Sequence, residues 1–272
     1  MSETYPESAA VLSDDQVQQF IRDGFVRLDG AFPRELADEC LAYLWRDTGC
    51  DPDNPSTWTK PVIWIDGHGE EPFEKAINTP KLHGALDQIV GKGRWRPRSG
   101  IGSFPIRFPS SVDQGDTGWH VDKSFAAEES VQGDFNSWRA NVTSKDRALL
   151  MLFLFSDVGP KDAPTRIRLG SHRDIARLLQ PAGEAGLPSI KIDAAANALT
   201  HCPEVLASGE AGTVFLCHPF LVHAAQLNRG NAPRFLAQPC LYPKVPLQLS
   251  RDDNNYSPVE TAIRQAIGKQ GN

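Results

Sequence analysis

The sequence lacks the features of a secreted, membrane-spanning or nucleic-acid-binding protein. Its N-terminus is acidic and polar, without the basic and apolar regions of a signal peptide. No apolar run approaches the roughly 20 residues that cross a bilayer. The net charge of −6 leaves no basic field for nucleic acid or an anionic membrane surface. We therefore expect neither a nucleic-acid partner nor a membrane partner.

Cysteine is also scarce, with five residues in 272 and no C-x-x-C pair. An odd number of widely spaced cysteines argues against a disulfide framework and against a structural zinc site. We expect a reducing, cytoplasmic compartment. The cysteines are Cys40, Cys50, Cys202, Cys217 and Cys240.

The residues that are present describe an ordinary globular chain, 40% hydrophobic and 23% charged. The length suits a single domain over 1–272, with a helical N-terminal cover at about 12–94 and a core at about 95–247. Helices are predicted after the capping box that begins at Ser13, from Pro33 to Trp45, and over 80–90, with a strand at 25–28 between the first two.

From Trp95 onward, short strands alternate with turns that contain glycine and proline. This spacing predicts a mainly β core, an antiparallel barrel or jelly roll, with flanking helices. A short helix is expected after Ser171. The predicted strands are 100–108, 118–122, 148–155, 165–169, 212–217, 221–225 and 234–241.

The triplet His120-Val121-Asp122 is the first candidate for a chemical site. Residues i and i+2 of a strand point to the same face, so this spacing directs an imidazole and a carboxylate to one point. The pair is either two metal ligands or two polar residues on an ordinary strand. A metal site needs a third ligand from another strand.

His223, in the predicted strand 221–225, is the best candidate for that third ligand. The other histidines fit less well because they lie in the N-terminal half, at a helix start, in a loop or before a proline. These are His68, His83, His172, His201 and His218.

Arg234 follows His223 after a turn rich in Asn and Gly. In a symmetric hairpin centred between Asn228 and Arg229, His223 and Arg234 are paired and share a face. A buried arginine beside a metal ligand needs an anionic partner. This placement predicts a cosubstrate that carries a carboxylate, bound by the guanidinium.

Two histidines and one carboxylate form the facial triad of non-haem Fe(II) oxygenases, which leaves three coordination positions open. A 2-oxo acid can chelate two of them, and dioxygen can take the third. The far carboxylate of 2-oxoglutarate then needs a cation, and Arg234 is placed for it. The predicted cofactors are therefore Fe(II), 2-oxoglutarate and O2.

The set His120-x-Asp122, His223 and Arg234 resembles the phytanoyl-CoA dioxygenase family of Fe(II)/2-oxoglutarate-dependent oxygenases, over about 12–242. The chain departs from the family pattern at Leu169, where proline is usual, and at Ala163, where glycine is usual. Both departures affect a turn and no ligand. The other segments that resemble the family are Ala163-Pro164-Thr165-Arg166, Leu169-Gly170-Ser171-His172 and Phe20-x-x-x-Gly24-Phe25-Val26.

The resemblance implies a double-stranded β-helix (jelly-roll, cupin-like) core with iron bound by His120, Asp122 and His223. It also implies conversion of 2-oxoglutarate to succinate and CO2, coupled to hydroxylation of a C–H bond. Related halogenases replace the acidic ligand with a small residue, so Asp122 argues against halogenation.

Further candidates surround this set. Ser103 is a candidate for a second contact to 2-oxoglutarate, and Arg107 and Lys123 are candidates for contacts to an anionic substrate. Trp138 is a candidate for the pocket wall, within a loop at 126–145 that suits a lid. For these side chains a solvated charge or a packed core position remains the alternative.

Two other functions share these residues. One is a non-catalytic, cupin-like protein that binds a metal or a small molecule, and the other is a hydrolase that uses Zn²⁺ on the same triad. For the enzyme we expect a small-molecule substrate, a metabolite or natural-product intermediate. The sequence carries no signal for an oligomeric state.

Overall fold

The computed structural model describes residues 10–126 and 137–269, which form a mixed fold of helices and sheets. None of the helices in these two ranges has the length and apolar character needed to cross a membrane. The helices are α1 (Asp14–Asp23), α2 (Arg34–Thr48), α3 (Glu71–Ile77), α4 (Pro80–Val90), α5 (Ser171–Leu179), α6 (Ser189–Ala198) and α7 (Pro258–Ala266). The strands are β1 (Phe25–Leu28), β2 (Val62–His68), β3 (Ile101–Arg107), β4 (Arg139–Ala140), β5 (Leu149–Leu154), β6 (Thr165–Arg168), β7 (Leu187–Pro188), β8 (Glu204–Ala207), β9 (Val214–Cys217), β10 (His223–Ala224), β11 (Leu236–Ala237) and β12 (Cys240–Leu241).

Two antiparallel sheets pack face to face. One has five strands in the order β1-β9-β5-β11, with β12 also paired to β5, and the other has three in the order β10-β6-β8. A single apolar cluster contains side chains of both sheets, so it fills the space between them. Its strand members are Phe25, Leu150, Leu152, Leu154, Ile167, Ala207, Phe215, Cys217 and Leu236.

Strand β5 shows why the sequence LLMLFL forms the centre of the larger sheet. Leu150, Leu152 and Leu154 face the smaller sheet. The alternate residues of β5 belong instead to a second cluster, which they share with the buried faces of the helices. A strand covered on both faces is apolar throughout, and all six residues of β5 are buried.

The N-terminal half contributes β1 to the large sheet and β2 and β3 to a separate two-stranded sheet. Helix α1 begins at the predicted capping box, and Gly24 ends it in the left-handed conformation at φ 89°. The predicted strand at 25–28 is confirmed, and it pairs with β9. Strand β2, which the sequence did not predict, pairs with β3.

The expectation of a mainly β chain is confirmed only in part, because α3, α6 and α7 are helices that the sequence did not predict. The predicted strand at 234–241 is interrupted, because Pro239 separates β11 from β12 and has no N–H to donate. The predicted strand at 118–122 is reduced to one bridge at His120, and that at 221–225 to His223–Ala224.

The predicted hairpin that pairs His223 with Arg234 is wrong. His223 lies opposite Ile167 of β6, whereas Arg234 lies opposite Arg107 at the end of β3. The connection leaves the three-stranded sheet at β10 and enters the five-stranded sheet at β11, so its two arms never pair. The Asn228 side chain stabilises this crossing by donating to the carbonyl oxygens of Arg107, at 3.0 Å, and Ala232, at 2.8 Å.

Candidate metal centre

His120 and His223 come from distant parts of the chain and are held together by their backbones. Each N–H donates to the carbonyl oxygen of the other residue at 3.0 Å. Opposite residues of an antiparallel pair share a face. His223 therefore points, like Ile167 opposite it, toward the apolar layer between the sheets. The two imidazole rings lie with their centroids 4.4 Å apart.

Asp122 completes a group of three converging donors. Its Oδ1 lies 4.0 Å from His120 Nε2 and 3.8 Å from His223 Nε2. All three donor atoms lie within 4.8 Å of one another. Because a bond from a metal to nitrogen or oxygen is about 2.1 Å long, one ion between these atoms can reach them. The His120 and Asp122 side chains are 34% and 26% exposed, so the group is open on one side.

The hydrogen bonds of the two imidazoles leave the Nε2 atoms free for a metal. His120 Nδ1 lies 2.9 Å from the Gly118 carbonyl and His223 Nδ1 lies 3.0 Å from the Leu221 carbonyl. A carbonyl only accepts, so each Nδ1 carries the proton and each Nε2 presents its lone pair. Among the described residues nothing forms a hydrogen bond with His223 Nε2, although that atom is buried. An unpartnered buried nitrogen of this kind fits a ligand site.

The charge states of this group also suit a divalent cation. Burial, and then the neighbouring His120, lower the pKa of His223 to about 4, while Asp122 opposes this shift. His223 is therefore neutral at neutral pH. Burial by itself would raise the pKa of Asp122, but the positive charge of Arg147, with contributions from the two histidines and Lys123, lowers it to about 2.

Arg147 is a member of the site that the sequence analysis did not identify. Its Nη1 lies 3.0 Å from Asp122 Oδ2, on the carboxylate oxygen that is not shared with the histidines. Arg147 directly precedes Ala148 and β5, in a segment with no motif of its own. An ion pair between residues 25 positions apart has no local sequence signature.

A cavity of about 820 Å³ opens beside His120 and Asp122. Its volume lies in the range of roughly 300–1,000 Å³ that is usual for small-molecule sites. Trp138, predicted to line a pocket, is one of its walls. Lys123 is another, and its ammonium group is paired with both carboxylate oxygens of Asp193 at 2.8 Å. Half of the predicted lid, the segment 127–136, lies outside the described residues.

Arg234 lies with no exposed surface in a second polar cluster. It donates to the carbonyl oxygens of Ala163, at 2.5 Å, and Pro105, at 2.9 Å. Its backbone exchanges hydrogen bonds with that of Arg107, whose guanidinium is paired with Asp116. The two arginines are therefore adjacent and share one carboxylate neighbour.

This cluster has more positive charge than its own carboxylate balances. Burial, and then the charge of Arg107, lower the pKa of Arg234 to about 9, and Asp116 opposes the shift. The buried Nε atoms of both arginines have no hydrogen-bond partner among the described residues. A cluster with these properties can accept an anionic ligand.

The remaining candidates have structural contacts. Ser103 is half-buried in β3, and its carbonyl accepts from the Gln238 backbone at 2.9 Å. His172 lies 3.1 Å from the Ile21 carbonyl and His68 pairs with Glu70 at 2.9 Å. A second group of possible ligand types, at Asp174, His201 and Cys202, contains a carboxylate that Arg177 already binds at 2.8 Å.

Comparison with solved structures shows the same fold in non-haem enzymes at low sequence identity. HygX from Streptomyces hygroscopicus, solved with nickel and 2-oxoglutarate, is 16% identical, with a TM-score of 0.55 over 86% of this chain and 88% of that one. The α-ketoglutarate-dependent epimerase SnoN from nogalamycin biosynthesis is 16% identical, with a TM-score of 0.52 over 84% and 81%. The carbocyclase SnoK from the same biosynthesis is 15% identical, with a TM-score of 0.52 over 86% of each chain. A search of curated protein sequences found no significant match.

The family comparison is the stronger evidence. The family described as phytanoyl-CoA dioxygenase (PhyH) matches residues 68–236, a range that contains His120, Asp122, His223 and Arg234. The N-terminal segment 20–26, which also resembles the family, lies outside the matched range. Since the match covers more than half of the sequence, the chain belongs to the phytanoyl-CoA dioxygenase family, whose members use the cofactors predicted from the motifs, Fe(II), 2-oxoglutarate and O2.

Proposed function

We propose that this protein is an Fe(II)/2-oxoglutarate-dependent oxygenase that hydroxylates a C–H bond of a small molecule. One observation carries the proposal: Nε2 of His120, Nε2 of His223 and Oδ1 of Asp122 converge, and the buried Nε2 of His223 has no other partner among the described residues. Two imidazoles and one carboxylate, open on one side, are the donor set of non-haem Fe(II) oxygenases. In this proposal these three residues bind the iron.

Arg234 is assigned to the far carboxylate of 2-oxoglutarate. Its burial, its unpartnered Nε and the uncompensated charge that it shares with Arg107 support this assignment. Arg107 is buried and paired with Asp116, so we assign it to this cosubstrate cluster instead of to the substrate. Ser103, on the same strand as Arg107, remains the predicted second contact to the cosubstrate.

The chain's own groups bind and orient the reactants. Fe(II) bound by His120, Asp122 and His223 would, with 2-oxoglutarate and dioxygen, supply an oxidant for an unactivated C–H bond, with 2-oxoglutarate converted to succinate and CO2. Arg234 fixes one end of the cosubstrate by charge and hydrogen bonds. The cavity beside His120 and Asp122 holds the substrate within reach of the metal, with Trp138 as an apolar wall and Lys123 as a polar contact.

The type of product that the oxidation gives is the more specific part of the proposal. The similar structures include an epimerase and a carbocyclase, so this fold serves more than one outcome. Hydroxylation is the simplest, since it needs no further residue to redirect the substrate after hydrogen abstraction. Retention of Asp122 argues against halogenation, because the carboxylate takes the position that a halide would need.

The proposal also includes the core architecture, the domain organisation and the cellular location of the protein. We assign the five-stranded and three-stranded sheets, with the apolar layer between them, to the two walls of a double-stranded β-helix. Residues 1–272 would form one domain, since β1 of the N-terminal cover pairs with β9 of the core. The five cysteines are free, which supports the predicted cytoplasmic location.

The test is an anaerobic titration with Fe(II) and 2-oxoglutarate, monitored for the metal-to-ligand charge-transfer band in the visible region. We expect the band in the unmodified protein and in His201→Ala, a control for an exposed histidine. We expect its loss in His120→Ala and in Asp122→Ala. Absence of the band from the unmodified protein would overturn the proposal.

Turnover separates the enzyme from the other functions that use the same triad. A panel of candidate metabolites is tested for succinate release above the uncoupled background. Metal binding without succinate formation for any compound would favour a non-catalytic, cupin-like binding protein. Hydrolysis by the Zn²⁺-loaded protein, without any use of 2-oxoglutarate, would favour the hydrolase.

A further inference from the structure

The two oxygens of Asp122 have different neighbours. Oδ1 faces the histidines, at 3.8 Å from His223 Nε2 and 4.0 Å from His120 Nε2. Oδ2 faces away from them and lies 3.0 Å from Nη1 of Arg147. The arginine therefore binds the oxygen that the metal does not need.

Arg147 is itself held in place by its environment. Its side chain is only 14% exposed. Its second terminal nitrogen, Nη2, donates to the Lys123 carbonyl at 3.3 Å. Lys123 in turn pairs through its ammonium group with Asp193 of α6. Arg147 thus contacts both residues of the segment 122–123, and the Asp122 carboxylate cannot turn Oδ2 away without breaking its ion pair with Arg147.

We propose that Arg147 is a positioning residue that restricts Asp122 to a single ligating oxygen. The inference rests on the proposed function, because it concerns the same metal centre. Arg147 does not touch the reacting atoms in this account. It acts through Asp122, by keeping Oδ2 in an ion pair and turning Oδ1 toward His120 and His223.

The consequence follows from counting coordination positions. An octahedral ion bound by two imidazoles and one carboxylate oxygen has three positions left. A chelating 2-oxo acid takes two, and one remains for the second reactant. If Asp122 contributed both oxygens, the protein would take four positions. The cosubstrate would then either compete with Oδ2 for a coordination position or fill the last two positions, leaving none for dioxygen.

Arg147 also affects the affinity for the metal, in the direction opposite to its effect on the affinity for the cosubstrate. A positive charge beside Asp122 weakens the attraction between the carboxylate and a cation. Removal of Arg147 should therefore leave metal affinity unchanged or increase it, while binding of the cosubstrate becomes weaker. A residue that only supported the local fold would instead weaken both when removed.

The experiment uses the full chain loaded with Co(II), which does not turn over, and measures binding by calorimetry. Arg147→Met removes the donor and keeps a side chain of similar length, and Arg147→Lys keeps the charge and one donor group. Arg251→Met is the matched control, because Arg251 is 15% exposed and pairs with Glu260 at 3.2 Å, outside the residues that line the site. Circular dichroism verifies that each variant is folded.

For Arg147→Met we expect Co(II) affinity at or above that of the unmodified protein, and 2-oxoglutarate affinity lower by about tenfold or more, the equivalent of roughly 1.4 kcal/mol. The visible absorption of Co(II) should change before the cosubstrate is added, because a fourth protein donor is bound. Arg147→Lys should recover most of the cosubstrate affinity. Arg251→Met should behave as the unmodified protein.

Three results would overturn the inference. Unchanged 2-oxoglutarate affinity and an unchanged Co(II) spectrum in Arg147→Met would show that Arg147 does not control the ligation of Asp122. A folded Arg147→Met protein that has lost Co(II) binding would show that Arg147 supports the site as a whole. If the unmodified protein itself fails to bind Co(II) through His120 and Asp122, the proposed function fails together with this inference.

Discussion

His120 and His223 each donate a backbone N–H to the other's carbonyl oxygen, at 3.0 Å in both directions. Backbone hydrogen bonds therefore position the two candidate ligands. Their imidazole side chains do not take part in this pairing and converge with Asp122. Replacing either imidazole does not remove the backbone pair. Metal binding and folding can for this reason be separated experimentally at His120, whose side chain is far more exposed than that of His223.

His120→Ala is expected to abolish metal-dependent stabilisation and to destabilise the metal-free protein only modestly. The side chain is 34% exposed and its Nδ1 lies 2.9 Å from the Gly118 carbonyl, so its loss should lower the free energy of unfolding by about 1 kcal/mol. In the unmodified protein, Co(II) at a hundred times its Kd should add about 2.7 kcal/mol. Urea denaturation with and without Co(II) measures both quantities. His201→Ala should retain the full metal-dependent gain, and an equal gain in His120→Ala would contradict the site.

Arg234→Lys is expected to weaken 2-oxoglutarate binding about 10- to 100-fold, or by roughly 1.4 to 2.8 kcal/mol. Lysine keeps the charge but lacks the planar fork that binds a carboxylate through two bonds. Its single ammonium nitrogen also replaces two terminal nitrogens that each donate to one carbonyl oxygen, of Ala163 and of Pro105, so the melting temperature should fall as well. The measurement is calorimetric titration of the Co(II)-loaded variant with 2-oxoglutarate. Co(II) affinity itself should not change, and a matching loss of both affinities would point to general damage.

Local spacing predicted the part of the site that lies within one segment. His120 and Asp122 are two positions apart, and that spacing brings them together even though the segment forms a single bridge instead of the predicted strand. His223 was found by excluding the other histidines. Its backbone pairing with His120 is a contact over about a hundred residues, which a strand pattern does not encode.

The long-range ion pairs and the connection between the sheets were not predictable in this way. The sequence Gln226–Arg234 has hairpin-like turn residues, but its two ends belong to different sheets, so a symmetric hairpin gave the wrong partner for Arg234. Arg147 had no signal, because its contact to Asp122 depends on how β5 is placed. Helix α7 is a different case, since its capping box at Ser257 and Glu260 can be read from the sequence.

Asp116→Asn tests whether the cosubstrate cluster needs an anion. Asp116 is the carboxylate paired with Arg107 next to Arg234, and its side chain is 29% exposed. Without this negative charge the two buried guanidinium groups repel each other, and we expect a loss of roughly 2 kcal/mol in the free energy of unfolding. Added 2-oxoglutarate should then stabilise the variant more than it stabilises the unmodified protein, since it supplies the missing charge. Thermal melting with and without the cosubstrate compares the two.

Asp193→Asn is the matched control for that comparison, because Asp193 also pairs with a cation, Lys123, but in the substrate cavity. We expect a smaller loss of stability and no additional effect of 2-oxoglutarate. An equal response of the two variants would show that the extra stabilisation does not arise at the arginine cluster.

Acid sensitivity is expected from His172, which is buried beside His218 and far along the chain from the candidate ligands. Burial lowers the pKa of His172 to about 4. The unfolded chain has a histidine pKa near 6.5, so between these values it binds more protons than the folded protein. Stability is therefore fully present above about pH 6.5 and is lost as the pH falls toward 4.

The loss from this one residue amounts to roughly 3 kcal/mol over the whole window. Urea denaturation at pH 7.5, 6 and 5, without metal, measures the slope. In His172→Gln the part of the slope due to this group should disappear, whereas His201→Gln, with a side chain 67% exposed, should retain it. The variant is expected to be less stable at pH 7.5 because Gly24 packs against the imidazole. The comparison therefore rests on the change with pH, and a slope equal to that of the unmodified protein would show that His172 is not the group responsible.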